Sequence, residues 1–305
     1  MTVPVLHDCW EAYSLLDSGH RRKLERFGDS VVVRDEPKAW WSPDLPESTW
    51  NAAGARCDAE GRWHLAKDQA REWILGFDGL TLEARVADTS RHVGVFPEQS
   101  AHWRWIGQRG RAAAGSQPTM LSLFGYTGVA TLYAASLGFA VTHVDASKPA
   151  LSWARRNQEL SGLTDAPIRW ILDDALKFVR REHRRGRRYD AIVLDPPSFG
   201  RGPSGEVWKV ELGLPELLHT CSLLLADDAR FVILTLYNLD ASSLMIANLM
   251  RESLGDRGGR LEAGELALRH AHSSKLLPLA LFGRWAQEPC PKSKPTNTPA
   301  PSAAG

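Results

Sequence analysis

Strand-like and helix-like segments alternate along the chain from about Gln117 onward. Seven apolar runs have the length and composition of strands: PTMLSLF, AVTHVD, IRWIL, YDAIVLD, ARFVILTLYN, GRLEAGELALRH and LPLALFGRW. Helix-like segments such as VATLYAASLG and KPALSWARRNQELSGL follow the first five of them. Strands that alternate with helices over short connections form parallel sheets covered on both faces. The sequence therefore predicts an α/β fold with a mostly parallel, seven-stranded sheet.

The residues before this series have a different pattern. LERFGDSVVVRDEP, EGRWHLA, LTLEARVA and RHVGVFPEQ are short strand-like pieces between turn signals. We therefore expect a small β-rich domain or extension over residues 1–110, a turn or linker in GQRGRAAAGSQP, and the main domain over residues 117–288. Residues 289–305 are rich in Pro, Ser, Ala and Thr. Such a composition cannot bury enough apolar surface to fold, so we expect a disordered tail.

Charge, cysteine content and hydropathy narrow the function classes. The net charge is +1, so any nucleic-acid footprint must be local. The four cysteines are scattered without a CxxC pair, which argues against a zinc site and a disulfide framework. His270 and His272 have no evident third ligand, so we expect no metal. No apolar run approaches the roughly 20 residues of a membrane span, and the first residues do not resemble a signal peptide. These features predict a cytoplasmic protein without a membrane partner.

Glycine and acidic residues follow the ends of four successive strands. In chain order they are Gly125 and Gly128, then Asp145, then Asp173 and Asp174, and then Asp195. The carboxyl ends of parallel strands meet at one edge of a sheet, where ligands of such folds bind. The G-x-x-G spacing lacks the dinucleotide pattern G-x-G-x-x-G, which favours a ligand without a pyrophosphate.

Two of these carboxylates suit a nucleoside. Asp145 could accept hydrogen bonds from both hydroxyls of a ribose, and Asp174 could accept from an adenine amino group. The alternative is that each simply caps the helix that follows it, for which Asp is also favoured. The succession of four such strand ends favours a ligand site.

The motifs LFGYTG, VDAS with the helix behind it, DDALKF and LDPPSF resemble those of class I S-adenosylmethionine-dependent methyltransferases. The resemblance covers about residues 93–285 and is nearest to the bacterial 23S rRNA large-subunit methyltransferases, a group that includes cytosine-C5 enzymes. It implies a Rossmann-like methyltransferase sheet. The segment GVFPEQSAHWRW is similar to the group's G-x-F-x-D-Q segment, with Glu98 in place of Asp. The RNA-binding PUA domain that the group often carries is not identified here.

The resemblance implies S-adenosylmethionine as the cofactor. This compound has no phosphate, which agrees with the missing dinucleotide pattern. The residues expected to bind it are Phe96, Gln99, Phe124, Gly125, Tyr126, Thr127, Gly128, Asp145, Ala146, Ser147, Asp173, Asp174 and Asp195.

The D-P-P-S segment is the predicted catalytic element. Methyl transfer is an in-line displacement, so the protein must align two reactants and exclude water. Pro196 and Pro197 would stiffen the loop, so that Asp195 and the Pro196 carbonyl aim at the acceptor. Phe199 could stack on a base flipped out of its helix. Beyond these catalytic residues, the residues expected to contact the acceptor are Ser198, Tyr237 and Asn238.

The sequence leaves two alternatives for the atom that receives the methyl group, an exocyclic amine nitrogen and the C5 carbon of a pyrimidine. D-P-P-aromatic loops in the superfamily often serve exocyclic amines, whereas C5 methylation needs a cysteine that attacks the ring. The segment ILTLYNLDAS after the fifth strand has no cysteine, and Cys221 is expected in the core. We predict a methyltransferase acting on a base of ribosomal RNA, as a monomer or homodimer. The alternatives are a small-molecule methyltransferase and a cofactor-binding RNA module without turnover.

Overall fold

Within the described residues, the main sheet contains eight strands. The computed structural model describes residues 4–87, 90–110, 117–255 and 257–287. In spatial order the strands are β1 (Val5–Leu6), β16 (Arg260–Arg269), β17 (Leu276–Ala286), β15 (Phe231–Tyr237), β12 (Ala191–Leu194), β9 (Thr119–Leu123), β10 (Ala140–Asp145) and β11 (Ile168–Leu172). Only β17 runs antiparallel to its neighbours. The predicted seven-stranded, mostly parallel sheet is confirmed, and the short β1 extends it.

The strand order reverses between β9 and β12. From β9 the chain adds β10 and β11 on one side and then returns to place β12 on the other. In open α/β sheets this switch point leaves a crevice at the carboxyl ends of the strands, where ligands bind. The crevice therefore lies where the four sequence motifs emerge.

Helices cover both faces of this sheet. They are α2 (Ser100–Gly110), α3 (Val129–Ser136), α4 (Lys148–Leu160), α5 (Ala175–Arg184), α6 (Val210–Leu223) and α7 (Ser243–Leu254). The pleat divides the buried side chains between two cores: Met120 belongs to one, and its neighbour Leu121 belongs to the other. None of the described helices is long and apolar enough to cross a bilayer.

The N-terminal region is β-rich, as predicted. A five-stranded sheet contains β2 (Tyr13–Gly19), β3 (Arg22–Phe27), β4 (Ser30–Asp35), β5 (Ala55–Cys57) and β6 (Trp63–Leu65). The short helix α1 (Glu47–Asn51) follows β4, and a separate hairpin pairs β7 (Glu72–Phe77) with β8 (Leu80–Arg85).

The prediction of a strand in RHVGVFPEQ is wrong. The segment has no ladder and ends in a 3₁₀ turn, Pro97–Gln99, that leads into α2. Gly94 has a φ of +94°, and a Cβ there would lie 2.1 Å from the Trp153 ring. Because this close packing fixes a left-handed backbone, the segment cannot continue as a strand.

One hydrophobic core joins the N-terminal region to the main sheet. Its aromatic centre includes Trp10, Phe77, Trp103 and Tyr133, with ring centroids 5.0–5.5 Å apart in several pairs. The tryptophans therefore serve mainly as core residues, although Trp40 is 83% exposed. The division at residues 110 and 117 stays a prediction. The predicted tail and half of the predicted linker, residues 111–116, lie outside the described residues.

His270 belongs to a clamp between these two parts of the chain. Its Nε2 lies 2.7 Å from the Ser18 hydroxyl, and its Nδ1 lies 3.6 Å from Asp17. Asp44 is close enough to complete a three-ligand group. The oxygens of Asp17, however, already accept from three backbone N–H groups and from the Trp50 indole. These hydrogen bonds give the group of Asp17, Asp44 and His270 a structural role that needs no metal ion.

Candidate active site

A cavity of about 450 Å³ opens at the carboxyl ends of the parallel strands. It brings together most of the predicted site residues: Phe96, Phe124, Tyr126, Asp145, Ala146, Ser147, Asp173, Asp174, Asp195, Pro196, Pro197, Ser198, Tyr237 and Asn238. A smaller pocket of about 60 Å³ shares several of these residues and is also lined by Gln99, Gly125 and Thr127. Gly128 and Phe199 line neither.

The glycine turn shapes the floor of the site indirectly. A Cβ on Gly125 would lie 2.3 Å from Cε1 of the buried His143 ring. Gly128 has a φ of +83° and precedes α3 as its N-cap residue. Both glycines are therefore required by packing and backbone geometry. The cavity itself is lined by their neighbours Phe124 and Tyr126, which also have positive φ.

Asp145 presents a fixed carboxylate. Its oxygens accept from the backbone N–H groups of Tyr126 and Ser147, each at 2.8 Å. The cap of α4 is Ser147, whose hydroxyl accepts from the N–H of Ala150. Asp145 therefore does not cap the helix. Each of its oxygens has a lone pair left for a ligand hydroxyl, and burial raises the pKa of the carboxyl above its usual range.

The two acids after β11 have structural partners as well as a place in the cavity wall. Asp174 is the N-cap of α5 and accepts from the N–H of Lys177 at 2.9 Å. Asp173 forms an ion pair with Arg181 at 2.6 Å and accepts from the N–H of Asp174. The capping alternative is therefore correct for Asp174, and both acids still face the cavity.

Asp195 has the most unusual environment in the site. Its Oδ2 accepts from the Gln99 amide at 3.2 Å, while its Oδ1 is buried without a hydrogen-bond partner among the described residues. Burial, reinforced by the nearby carboxylates of Glu98 and Asp145, raises the pKa of Asp195 to about 8. A buried polar atom without a partner is costly, and such atoms mark sites where a ligand completes the bonding.

A polar network holds Asp195 from the side of β15. The Gln99 amide also donates to the Tyr237 hydroxyl at 3.2 Å, and the Tyr237 hydroxyl is hydrogen-bonded to Glu98. Burial raises the pKa of Glu98 and that of Tyr237. Sequence reasoning noted Glu98 only as a departure from a motif. Glu98 contacts Tyr237, 139 positions later in the chain, and no local sequence pattern predicts such a contact.

Aromatic rings form the walls of the cavity. Phe96 lies 5.0 Å from the His92 ring, 5.4 Å from Tyr237 and 5.7 Å from Tyr126, between centroids. Sequence reasoning did not identify His92. Burial, together with Arg34 and other nearby cations, lowers its pKa to about 4, so it is neutral at pH 7. Walls of this kind can hold a planar ring.

Trp208, which sequence reasoning also did not identify, fixes the D-P-P-S segment. Its indole N–H donates to the Pro197 carbonyl at 2.7 Å, and its ring packs 5.2 Å from Phe124. Residues 199–209 form a hairpin of β13 (Phe199–Arg201) and β14 (Val207–Lys209). Phe199 is 55% exposed on this hairpin, outside the cavity wall.

The N-terminal sheet contributes a chamber of about 170 Å³ beside the cavity. The chamber shares His92, Phe96, Tyr237 and Asn238 with the main cavity. Its cations are neutralised by ion pairs: Lys23 with Glu36, Arg34 with Glu25, and Arg91 with Asp35.

No cysteine of the described ranges lines the cavity. Cys9 is exposed, and Cys57 and Cys221 are buried. Burial raises the pKa of the Cys221 thiol, which suits a core residue. The part of the chain that the structure describes thus places no thiol nucleophile at this site.

Comparisons with known proteins include matches over nearly the whole chain and matches over parts of it. The SAM-dependent methyltransferase from Agrobacterium tumefaciens has a structure that superposes with a TM-score of 0.90, at 43% sequence identity, over 93% of this chain and 94% of that one. Ribosomal RNA large subunit methyltransferase K of Neisseria meningitidis is 36% identical over 121 residues, 39% of this chain and 34% of its own length. Ribosomal RNA large subunit methyltransferase I of Shewanella amazonensis is 41% identical over 93 residues, 29% of this chain and 24% of its own length. The chain therefore spans about a third of the first of these curated relatives and about a quarter of the second. No family model matches the chain.

Proposed function

Since the chain belongs to the S-adenosylmethionine-dependent methyltransferases, we propose that it transfers a methyl group to a base of ribosomal RNA. The observation that carries this proposal is the unpartnered oxygen of Asp195 in the cavity wall, at the strand-end edge that also bears Asp145. A hydrogen-bond donor of a ligand would satisfy that oxygen, and the cavity has room for a nucleoside and an acceptor ring.

The residues of the cavity suit S-adenosylmethionine. Asp145 offers two fixed oxygens to the ribose hydroxyls, and Asp174 lies at the next strand end, where an adenine amino group would reach it. Asp195, once ionised, offers a negative charge close to the switch point of the sheet. Three carboxylates without a phosphate-binding turn fit a cationic nucleoside and disfavour a dinucleotide. Bound there, S-adenosylmethionine supplies a methyl group on a positively charged sulfur.

Asp195 is proposed to orient and deprotonate the acceptor. An exocyclic amine would donate one N–H to Asp195 Oδ1 and the other to the carbonyl of Pro196, which directs the nitrogen lone pair toward the methyl group. As the N–CH₃ bond forms and the S–CH₃ bond breaks, the amine loses one proton, and the Asp195 carboxylate accepts it. A carboxyl whose pKa lies near neutrality is suited to this transfer. The rigid Trp208–Pro197 contact would hold both acceptor atoms in place.

The side chains at the site support a nitrogen acceptor. Methylation at C5 of a pyrimidine requires a thiolate that first attacks the ring. The cavity wall, as far as the structure describes it, contains carboxylates, aromatic rings and amides in place of a thiol. Nucleophilic nitrogen needs no such covalent step, so we propose an exocyclic amine.

Two observations support ribosomal RNA as the substrate. Two relatives that match parts of the chain are named as methyltransferases of large-subunit ribosomal RNA. The aromatic walls around Phe96 also suit a base taken out of its stack. A cytoplasmic location and a monomeric or homodimeric state stay predictions.

The test is methyl transfer from labelled S-adenosylmethionine to ribosomal RNA of a strain that lacks this protein, with a metabolite extract in parallel. We expect label in RNA, recovered by mass spectrometry as an N-methylated nucleoside, and loss of label with Asp195→Asn. Label in the metabolite extract alone would replace the RNA proposal by a small-molecule methyltransferase. Cofactor binding without label in either pool would favour a module without turnover.

A further inference from the structure

The β13–β14 hairpin forms part of the rim of the cavity. Gly200, Arg201, Gly202 and Trp208 of the hairpin line the cavity. Because successive side chains of a strand alternate between faces, Phe199 and Arg201 lie on the face opposite Gly200, and Val207 and Lys209 lie on the face opposite Trp208. The outer hairpin face consists of four exposed residues, listed by strand: Phe199 and Arg201 on β13, and Val207 and Lys209 on β14.

Cross-strand pairing places an apolar residue beside a cation twice on this face. Phe199 lies opposite Lys209, and Arg201 lies opposite Val207. Directly opposite residues have Cβ atoms about 4.5–5.5 Å apart. Phe199 and Val207 are 55% and 59% exposed, so their apolar surfaces are open to a partner.

Buried contacts hold the outer hairpin face rigid. Trp208 is 6% exposed, packs against Phe124 and donates to the Pro197 carbonyl. A Cβ on Gly213 of α6 would lie 2.5 Å from the same ring, so the indole fills its space closely. The hairpin therefore does not need to be ordered when a partner binds, which lowers the entropic cost of binding.

The two cations of this face are unneutralised. Neither Arg201 nor Lys209 forms an ion pair with a residue that the structure describes. The acidic residue of the hairpin turn, Glu206, is instead paired with Lys177. By contrast, the cations of the chamber beside the cavity all have acidic partners. The outer hairpin face thus carries two positive charges without an acidic partner among the described residues.

We propose that the outer hairpin face binds the single-stranded RNA segment next to the methylated nucleotide. One flanking base stacks on Phe199, and Arg201 and Lys209 contact phosphates on either side of it. Exposed aromatic rings interleaved with cations are the means by which proteins hold single strands, since every base has a face to stack and every nucleotide a phosphate. This inference rests on the proposed function, and it assigns Phe199 to a flanking base, outside the cavity.

The test measures binding of a fluorescent 12-nucleotide single-stranded RNA of mixed sequence. Arg201→Gln/Lys209→Gln should weaken binding about tenfold at 0.1 M salt and reduce the slope of log K against log salt by about 1.4. Phe199→Ala should weaken binding about tenfold, and Phe199→Trp should restore it because the ring is kept. Cofactor binding, followed by calorimetry, reports that the variants are folded.

Matched control variants remove exposed cations and an exposed apolar side chain outside the hairpin. Lys67→Gln/Arg155→Gln deletes two exposed cations that have no ion pair with described residues, and Leu244→Ala deletes a side chain that is 73% exposed on α7. These should change RNA affinity less than twofold. Equal losses in the control and hairpin variants would overturn the proposal, because nonspecific charge would explain them.

The outcomes separate this inference from the proposed function. If the wild-type protein methylates RNA and the hairpin variants bind it as tightly as wild type, the outer hairpin face is not the RNA contact and the proposed function stands. If the wild-type protein neither binds nor methylates RNA, the proposed function fails and the inference with it. Variants that bind the oligonucleotide normally but no longer bind ribosomal subunits would also overturn the RNA assignment and indicate a protein partner.

Discussion

Binding of a cationic cofactor should expel a proton from Asp195. The carboxyl of Asp195 has its pKa raised to about 8, and its Oδ1 is buried without a partner among the described residues. At pH 7.5 such a group is about three-quarters protonated in the free protein. A positive charge within a few ångströms lowers the pKa of a carboxyl by about 1–3 units. If the bound value is about 6, binding at pH 7.5 releases about 0.7 proton.

The direction in which cofactor affinity changes with pH follows from the pKa of Asp195 in the free and in the bound protein. The cation binds the ionised carboxylate, so affinity rises with pH while Asp195 loses its proton in the free protein. Between pH 7 and pH 8 the affinity should increase about fivefold, and above about pH 8 it should change by less than twofold. S-adenosylhomocysteine has a neutral sulfur, so its binding should release almost no proton from this group.

Calorimetry in two buffers of different ionisation enthalpy measures the proton count. Asp195→Asn should abolish the release and flatten the pH profile. Glu98→Gln removes a charge that contributes to the raised pKa of Asp195, so it should reduce the release at pH 7.5 without abolishing it. Equal proton release by the two ligands, or undiminished release in Asp195→Asn, would refute the assignment of this carboxyl to the cation.

Three further substitutions test the framework of the site. Gly125→Ala should lower the free energy of unfolding in urea by about 1–3 kcal/mol, because its Cβ would lie 2.3 Å from His143, whereas Gly76→Ala, with nothing within 4 Å, should be near neutral. Asp145→Asn should weaken S-adenosylmethionine binding by calorimetry at least tenfold, since charge-assisted bonds contribute about 1.5–3 kcal/mol; unchanged affinity would remove it from the ribose site. Arg34→Met should cost about 3–5 kcal/mol in the same urea assay by leaving Glu25 charged and buried, and Glu25→Leu/Arg34→Met should recover most of that loss; no recovery would contradict the ion-pair explanation.

The main sheet could be predicted because its signals are local. Each strand is a buried apolar run, and the order of helices and strands dictates right-handed parallel connections. The placement of Asp145 and Asp195 at one edge follows from those connections alone. The six predicted site residues at 195–198 and 237–238 that line the cavity needed no more than strand order.

The tertiary contacts could not be predicted. The sequence suggests that Gly125 contacts a ligand. The structure shows that glycine is needed there because a Cβ would collide with His143 on the neighbouring strand. The sequence predicts a loop stiffened by Pro196 and Pro197, but it does not show that Trp208 packs on Phe124 and that residues 199–209 form a hairpin. The hydrogen bond from Gln99 to Asp195 joins residues 96 positions apart. Such pairings depend on packing between elements, which local patterns do not contain.

The N-terminal sheet has a role in the electrostatics of the site. Arg34 and Glu25 form a buried, bidentate ion pair, an arrangement that contributes less to stability than apolar residues of the same size. The pair also fixes the position of Arg34, which lines the same chamber as His92. Burial, with a further contribution from Arg34, lowers the pKa of His92 to about 4, so the ring that packs on Phe96 is neutral at pH 7 and does not repel a cationic cofactor. The N-terminal region is, on these contacts, a wall of the cavity as much as a separate unit.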